Sequence, residues 1–274
     1  MDDSKDAFTT RLASPLTAKR AILTALTATQ RSLSTAQLRL CGALFGIEGA
    51  AVRVALGRLV DKGDVVADGE GAYEIGPKGQ AIAEAIQRWR DLPRLNKPWR
   101  GGWIAIHTAH LGRSQRPQLR RRERALSLSG FASAADGLWV RPDNLRVEPS
   151  ALASRLFELG LEPEAIIVGG ASFIQAPSQG LEDLWDRETI EAGYAAAEAA
   201  MAQCLEGLER ASLAERARAT ATIGAAVIGM LSFDPLLPGE LLDADLRRAV
   251  HRRMLDFDRV GKQALAAYWR DQGC

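Results

Sequence analysis

The sequence predicts an α+β protein of several domains. Its 274 residues exceed one ordinary domain. Apolar residues recur at helical spacing up to residue 62 and then give way to a turn-rich hairpin, whereas strand-like runs alternate with helices between residues 98 and 176. From residue 180 onward the pattern is helical alone. The expected domains are therefore residues 15–92, 98–176 and 180–274.

In the first domain, Pro15 and Thr17 introduce a short helix with Ile22, Leu23 and Leu26 on one face. Ser34-Thr35-Ala36-Gln37 is a capping box: the Ser34 hydroxyl accepts from the Gln37 backbone N–H while the Gln37 side chain reaches back. Leu38, Cys41 and Leu44 give that second helix a buried stripe, and Gly46 stops it. A third helix is expected from about Glu48 to Lys62, with Val52, Leu56, Leu59 and Val60 inward and Arg53 and Arg58 on exposed flanks. Gly63 follows as its C′ residue. Val65-Val66-Ala67 and Ala72-Tyr73-Glu74-Ile75 then enclose Asp68-Gly69-Glu70-Gly71 as a hairpin.

Three helices followed by a hairpin is the order of a winged helix-turn-helix, which places its third helix in the DNA major groove and its wing along the backbone. Arg53, Arg58 and Lys62, with Arg39 on the preceding helix, are the cations placed for phosphate or base contact. Two features oppose this. Asp68 and Glu70 at the wing tip would repel phosphate, and the third helix opens with the weakly polar Gly49-Ala50-Ala51. The same unit also serves as a protein-interaction module, and each cation reads equally well as solvated surface charge.

In the middle domain, Trp103 to Thr108 reads as a strand, followed by a helix from about Ser114 to Ser129. The strand Gly137-Leu138-Trp139-Val140, a helix over about Pro149 to Leu159 and the strand Ala165-Ile166-Ile167-Val168 complete it. Strands alternating with helices over so short a span predict a ferredoxin-like α/β sandwich. Arg113, Arg116, Arg120 and Arg124 form a stripe on its first helix, widened by Arg121 and Arg122, with Glu123 the sole acid nearby. Such a stripe fits phosphate, since guanidinium pairs with it bidentately. It is also what a solvated helix face, or a bridge to an acidic surface, looks like.

The C-terminal region is amphipathic. Ile190, Tyr194, Ala197, Met201, Leu205 and Leu208 recur at helical spacing; Leu213, Ala217, Val227 and Leu231 mark a second helix. Phe233-Asp234-Pro235 and Pro238-Gly239 break the chain before helical pattern resumes from Asp243 to Trp269. Such stripes predict core first and a dimer surface second.

Composition narrows the function classes. Residues 1–150 hold 23 Lys/Arg against 15 Asp/Glu, an excess of 8, and residues 151–274 hold 12 against 19, a deficit of 7, giving the overall +1. A basic half joined to an acidic half points to a polyanion partner at one end. The longest uncharged apolar stretch, Ala219 to Phe233, is too short to span a bilayer, and MDDSKDAFTTRL does not read as a secretory signal, so no membrane partner is expected. Cys41, Cys204 and Cys274 are few and far apart, which argues against a disulfide framework or zinc cluster and for a cytoplasmic location. His107 and His110 lie three apart, a spacing that points to opposite faces in a strand, and no carboxylate or Cys cluster joins them, so no metal is expected. Gly169-Gly170 lacks a nucleotide fingerprint, and neither a Gly-x-Ser-x-Gly elbow nor a P-loop occurs. No catalytic residue and no cofactor are expected, and the chain reads as a non-enzyme.

Several blocks, in order, resemble the PaaX family of phenylacetate-catabolon repressors, a likeness running from about residue 35 to the C-terminus. They are Val52-Arg53-Val54-Ala55-Leu56-Gly57-Arg58-Leu59 with Gly63, then Tyr73 and Pro77-Lys78-Gly79, Gly102-Trp103, and Gly137-Leu138-Trp139-Val140-Arg141-Pro142. Leu184-Trp185 with Tyr194 follows, and finally Phe233-Asp234-Pro235-Leu236-Leu237-Pro238-Gly239-Glu240-Leu241-Leu242. The resemblance implies a homodimeric repressor that binds an imperfect palindrome near promoters of aromatic-acid catabolism. It also implies release by an aryl-CoA effector such as phenylacetyl-CoA, and a middle domain like the ferredoxin-like Cas2 fold. Arg53 and Arg58 carry over as DNA contacts, and no residue carries over for the effector. The first helix lacks the family's usual opening, and the wing is acidic where that pattern expects a basic tip.

The expected partners are thus a double-stranded DNA operator, an aryl-CoA effector and a second copy of the chain. The rival classes are a nuclease or acyl-CoA hydrolase built on the middle domain, and a protein-binding adaptor. A nuclease of that kind would carry an acidic residue at the end of its first strand, where this chain has Ile106-His107-Thr108-Ala109-His110.

Overall fold

A computed structural model describes residues 16–175 and 180–274; Pro15, the MDDSKDAFTTRL segment and the start of the expected first domain lie outside them. The described chain is mixed helix and sheet and falls into two compact units. Residues 1–90, 193–230 and 249–274 belong to the first, residues 91–192 and 231–248 to the second. Residues 180–274, expected to stand apart, are shared between the two. The reason is burial. Ala217, Tyr268 and Trp269 of the last helices are buried in the core of the N-terminal helices, while the same helices also meet one another at Gly224, Met254 and Phe257.

The first unit begins with α1 (Ala18–Thr29), capped by Thr17, whose hydroxyl accepts from the Arg20 N–H at 3.3 Å. A short strand β1 (Leu33–Ser34) leads into α2 (Thr35–Leu44), where the capping box closes in both directions at 3.0 and 3.1 Å. Helix α3 (Gly49–Lys62) ends on Gly63, whose φ of 73° is the left-handed conformation that a side chain resists. Strands β2 (Val65–Ala67) and β3 (Ala72–Ile75) form the hairpin, with Val65 opposite Ile75 and Ala67 opposite Tyr73. β1 adds to the hairpin through Leu33 opposite Tyr73, giving an antiparallel sheet of order β1-β3-β2. Helix α4 (Pro77–Gln87) follows with Pro77 at its start, then a 3-10 segment (Arg88–Arg94).

Ile22, Leu26, Leu33, Leu38, Cys41, Val52, Leu56, Leu59 and Val65 form one buried cluster, and Ala217, Tyr268 and Trp269 complete it. Val60, expected inward, is 38% exposed because it lies past the edge of the stripe set by Val52, Leu56 and Leu59.

The second unit carries β4 (Trp103–His107), α5 (Arg116–Leu128), β5 (Ala132–Ala135), β6 (Leu138–Pro142), α6 (Pro149–Leu159) and β7 (Ile166–Ala171). Its sheet is antiparallel with order β5-β6-β4-β7, and Ile106 of β4 faces Trp139 on one side and Ile167 on the other. The C-terminal helices are α7 (Arg187–Gly207), α8 (Leu213–Ser232) and α9 (Ala244–Asp271). Among the described residues, no helix is long and apolar enough to cross a membrane.

Candidate nucleic-acid interface

Helix α3 buries Val52, Leu56 and Leu59 and exposes the opposite side. At 100° per residue, Arg53 falls on one edge of the exposed face and Arg58 and Lys62 on the other. Ala50, Val54, Gly57 and Asp61 lie between them, all exposed, with Val54 at 55%. The strip between the cations thus carries small or apolar side chains and one acid. Arg39, exposed on α2, lies against the start of α3: a Cβ on Gly49 would stand 2.6 Å from the Arg39 Nε. All four expected cations therefore belong to one unit and face solvent, and among the described residues no ion pair ties any of them to a carboxylate.

The angle at which α2 meets α3 depends on a residue that the sequence patterns passed over. A Cβ on Gly42 would lie 2.6 Å from the Val52 Cγ2, so any larger residue there pushes the two helices apart. A glycine inside a helical stripe is the signal for such close approach.

The acidic wing tip has a structural explanation for one of its two acids. The Asp68 carboxylate accepts the backbone N–H groups of Glu70 at 2.9 Å and Ala72 at 3.0 Å and so closes the turn. The Glu70 N–H is the leading cause holding the Asp68 carboxyl below its ordinary value. Glu70 is exposed at the tip.

The arginine stripe of the second unit divides. Arg116, Arg120, Arg121 and Arg124 are exposed, whereas Arg122 is 3% exposed. Its guanidinium donates to both Glu162 carboxylate oxygens, Nη2 at 2.5 Å and Nε at 2.9 and 3.1 Å, and to the Gly112 carbonyl at 3.0 Å. Arg122 does not widen the stripe. It lies on the side of α5 that carries Ala125 and Leu126 inward. Arg113, just before the helix, pairs with Asp136 at 2.5 and 2.6 Å.

His107 and His110 do not point to opposite faces. Strand β4 ends at His107 and the chain turns, so the two rings stack with centroids 5.3 Å apart. The second ring nitrogen of His110 bonds to the Glu164 carbonyl at 2.9 Å. Among the described residues no group of three or more His, Cys, Asp or Glu gathers as metal ligands would.

Other motif blocks prove to be framework. Trp185 stacks on Trp103 with centroids 6.3 Å apart, and Trp99 meets Trp103 edge-on at 5.4 Å. The Phe233–Leu242 block is a strap held by its carbonyls. Buried Asn144 donates to the Leu236 carbonyl at 2.7 Å, Asn96 to the same oxygen at 3.1 Å, and Arg247 to the Leu237 carbonyl at 2.9 Å. Arg141, 1% exposed, donates to the Ser129 carbonyl and reaches the Pro235 carbonyl at 3.4 Å. Gly130 makes room for this: a Cβ there would lie 2.6 Å from the Pro235 oxygen. The Arg141-to-Asn144 and Phe233-to-Leu242 blocks occur together because one satisfies the backbone of the other.

No family model and no curated protein matches the chain. Among solved structures it is similar to an uncharacterized protein from Mycobacterium tuberculosis, with 24% identity, 92% of this chain and 98% of that chain covered, and a TM-score of 0.58. That likeness is one of fold.

Proposed function

We propose that this chain is a DNA-binding transcriptional regulator, a homodimeric repressor of aromatic-acid catabolic genes that an aryl-CoA thioester releases from its operator. The observation that carries the reading is the exposed face of α3, with Arg53 and Arg58 on its two edges and Ala50, Val54, Gly57 and one acid, Asp61, between them. In such a fold the exposed side chains of the helix reach base edges while cations at its flanks meet phosphate.

Three packed helices and a sheet of order β1-β3-β2 support a winged helix-turn-helix, and Arg39 and Lys62 extend its basic rim. The β-α-β-β-α-β order and the strand order β5-β6-β4-β7 support a ferredoxin-like middle sandwich. In this reading the protein acts in the cytoplasm, without catalysis, and two α3 helices of a dimer enter successive major grooves. The effector binds best to a conformation whose helix spacing no longer fits the operator.

The test is a fluorescence-anisotropy titration of the full chain against its own upstream promoter fragment, at several salt concentrations, with and without phenylacetyl-CoA. Tight binding that weakens steeply with salt and on adding the thioester is the expected result. Binding no tighter than to random DNA overturns the regulator and leaves the protein-binding adaptor.

A further inference from the structure

Within the first unit, behind α2, lies a cavity of about 100 Å³. Ala25 and Ala28 of α1, Cys41 of α2, Gly224 and Ala225 of α8 and Gly261 of α9 are among its walls. The space is half-open to solvent, and its lining is almost entirely apolar. Both glycines lie where α8 meets α9: a Cβ on Gly261 would stand 3.4 Å from the Thr220 side chain. A Cβ on Gly224 would sit at 3.8 Å from both Met254 and Phe257, ordinary van der Waals distance. Leu44, Phe45, Ile228, Met254, Phe257 and Leu265 complete the apolar lining.

The lining offers little to water. The Thr29 hydroxyl donates to the Ala25 carbonyl at 2.8 Å and the Thr220 hydroxyl to the Arg216 carbonyl at 2.7 Å, so both donors are spent within their own helices. Burial pushes the Cys41 thiol up to about 12, which keeps it neutral. Dry apolar cavities of comparable size, about 150 Å³, accept a benzene ring. Where the lining turns polar, Asp258 is shared between Arg90 at 2.9 Å and Lys262 at 3.1 Å. One carboxylate between two cations leaves a positive charge in excess, with Lys262 exposed.

We propose that this cavity binds the ring or short hydrocarbon body of a small aryl or acyl compound whose anionic portion lies towards Lys262. The free carboxylic acid and its thioester share that chemistry. The binding statement stands on the cavity alone; that its occupation biases the seat of α3 through α1 and α2 rests on the regulator reading.

The experiment labels the methionine methyl groups of the full chain with carbon-13 and titrates phenylacetate, phenylacetyl-CoA and, as a neutral ring, benzene. A ring beside Met254 moves its methyl resonance saturably. The expected result is such a shift with the anionic compounds, more weakly with benzene. Lys262→Gln should weaken the anionic compounds about two- to fivefold, the scale of an exposed charge, and leave benzene unchanged. Gly224→Val, which fills the space, should abolish the shift in folded protein; should that variant not fold, the wild type and Lys262→Gln decide the matter. No Met254 response to any probe, or unaltered binding in folded Gly224→Val, overturns the cavity as the site. A shift from the thioester but not the free acid assigns the site to thioesters, and the reverse assigns it to acids. A saturable shift in a protein with no preference for its promoter fragment keeps the cavity and discards the regulator.

Discussion

Helix α3 of the first unit carries two arginines and a lysine; helix α5 of the second carries five arginines. On charge alone α5 is the better polyanion surface. In three dimensions α5 gives one arginine, Arg122, to a buried pair with Glu162. Its exposed arginines stand on a helix that the β5–β6 hairpin follows directly, and Arg113, just before that helix, is tied to Asp136 of the hairpin turn. On α3 the cations edge a face of small or apolar residues that carries one acid, Asp61, and a sheet extends beside it. Where a charge sits relative to the buried stripe matters more than how many charges there are.

The largest expected effect tests the buried member of this comparison. Arg122→Ala strands the Glu162 carboxylate and should cost about 3–5 kcal/mol in urea denaturation, the range for breaking a buried pair. Arg122→Lys should rescue it only in part, because the two-oxygen contact needs the guanidinium fork. Hydrogen bonding from Arg122 holds the Glu162 carboxyl below its ordinary value. The pair's stabilisation is therefore in place above the ordinary carboxylate range and is lost as pH falls through the lowered value. Wild type should soften on acidification, and Arg122→Ala should flatten that part of the curve. A loss under about 1 kcal/mol would return Arg122 to the surface stripe.

The intermediate effect tests the exposed members. Arg53→Ala and Arg58→Ala should each weaken promoter binding by about 1–3 kcal/mol with unaltered denaturation. Arg120→Ala and Arg124→Ala should change it by about twofold or less. Equal losses on the two helices would break the comparison and make α5 a second DNA surface.

The smallest effect concerns an acid of the first unit, Asp68 at the hairpin turn. Asp68→Ala should speed amide exchange at Glu70 and Ala72, while Asp68→Asn keeps an acceptor and most of the protection. Because the Asp68 carboxyl is held low, that protection should fade as pH falls through its lowered value. Unchanged exchange in Asp68→Ala would mean that the turn closes without it.

Local chemistry made much of the fold legible. The capping box at Ser34 and Gln37 and the stop at Gly63 placed α2 and α3 to within a residue or two, and the hairpin strands fell where their alternation put them. β1 escaped because two residues carry no period, and β5 because Ala132–Ala135 has small side chains and no strand preference. Helix α4 was hidden because it opens on Pro77-Lys78-Gly79, a proline and a glycine that punctuate helical pattern. The exposed cations of α3 could be read from its 3.6-residue period. The roles of Arg122 and Arg141 could not, since their partners Glu162 and Pro235 lie 40 and 94 residues away. Nor could the cavity, which four separated helices enclose.

The buried cluster that joins Val65 to Trp269 also sets a timetable for synthesis. Trp269 leaves the ribosome about 200 residues after Val65, at about 5–20 residues per second a delay of roughly ten to forty seconds. Until then the cluster that holds Leu33, Leu38 and Cys41 lacks Tyr268 and Trp269. A ribosome that stops early releases a chain bearing α3 on an unfinished core. In this architecture the tail of the message vouches for the head, and α3 sits on a finished core only once Tyr268 and Trp269 have joined it.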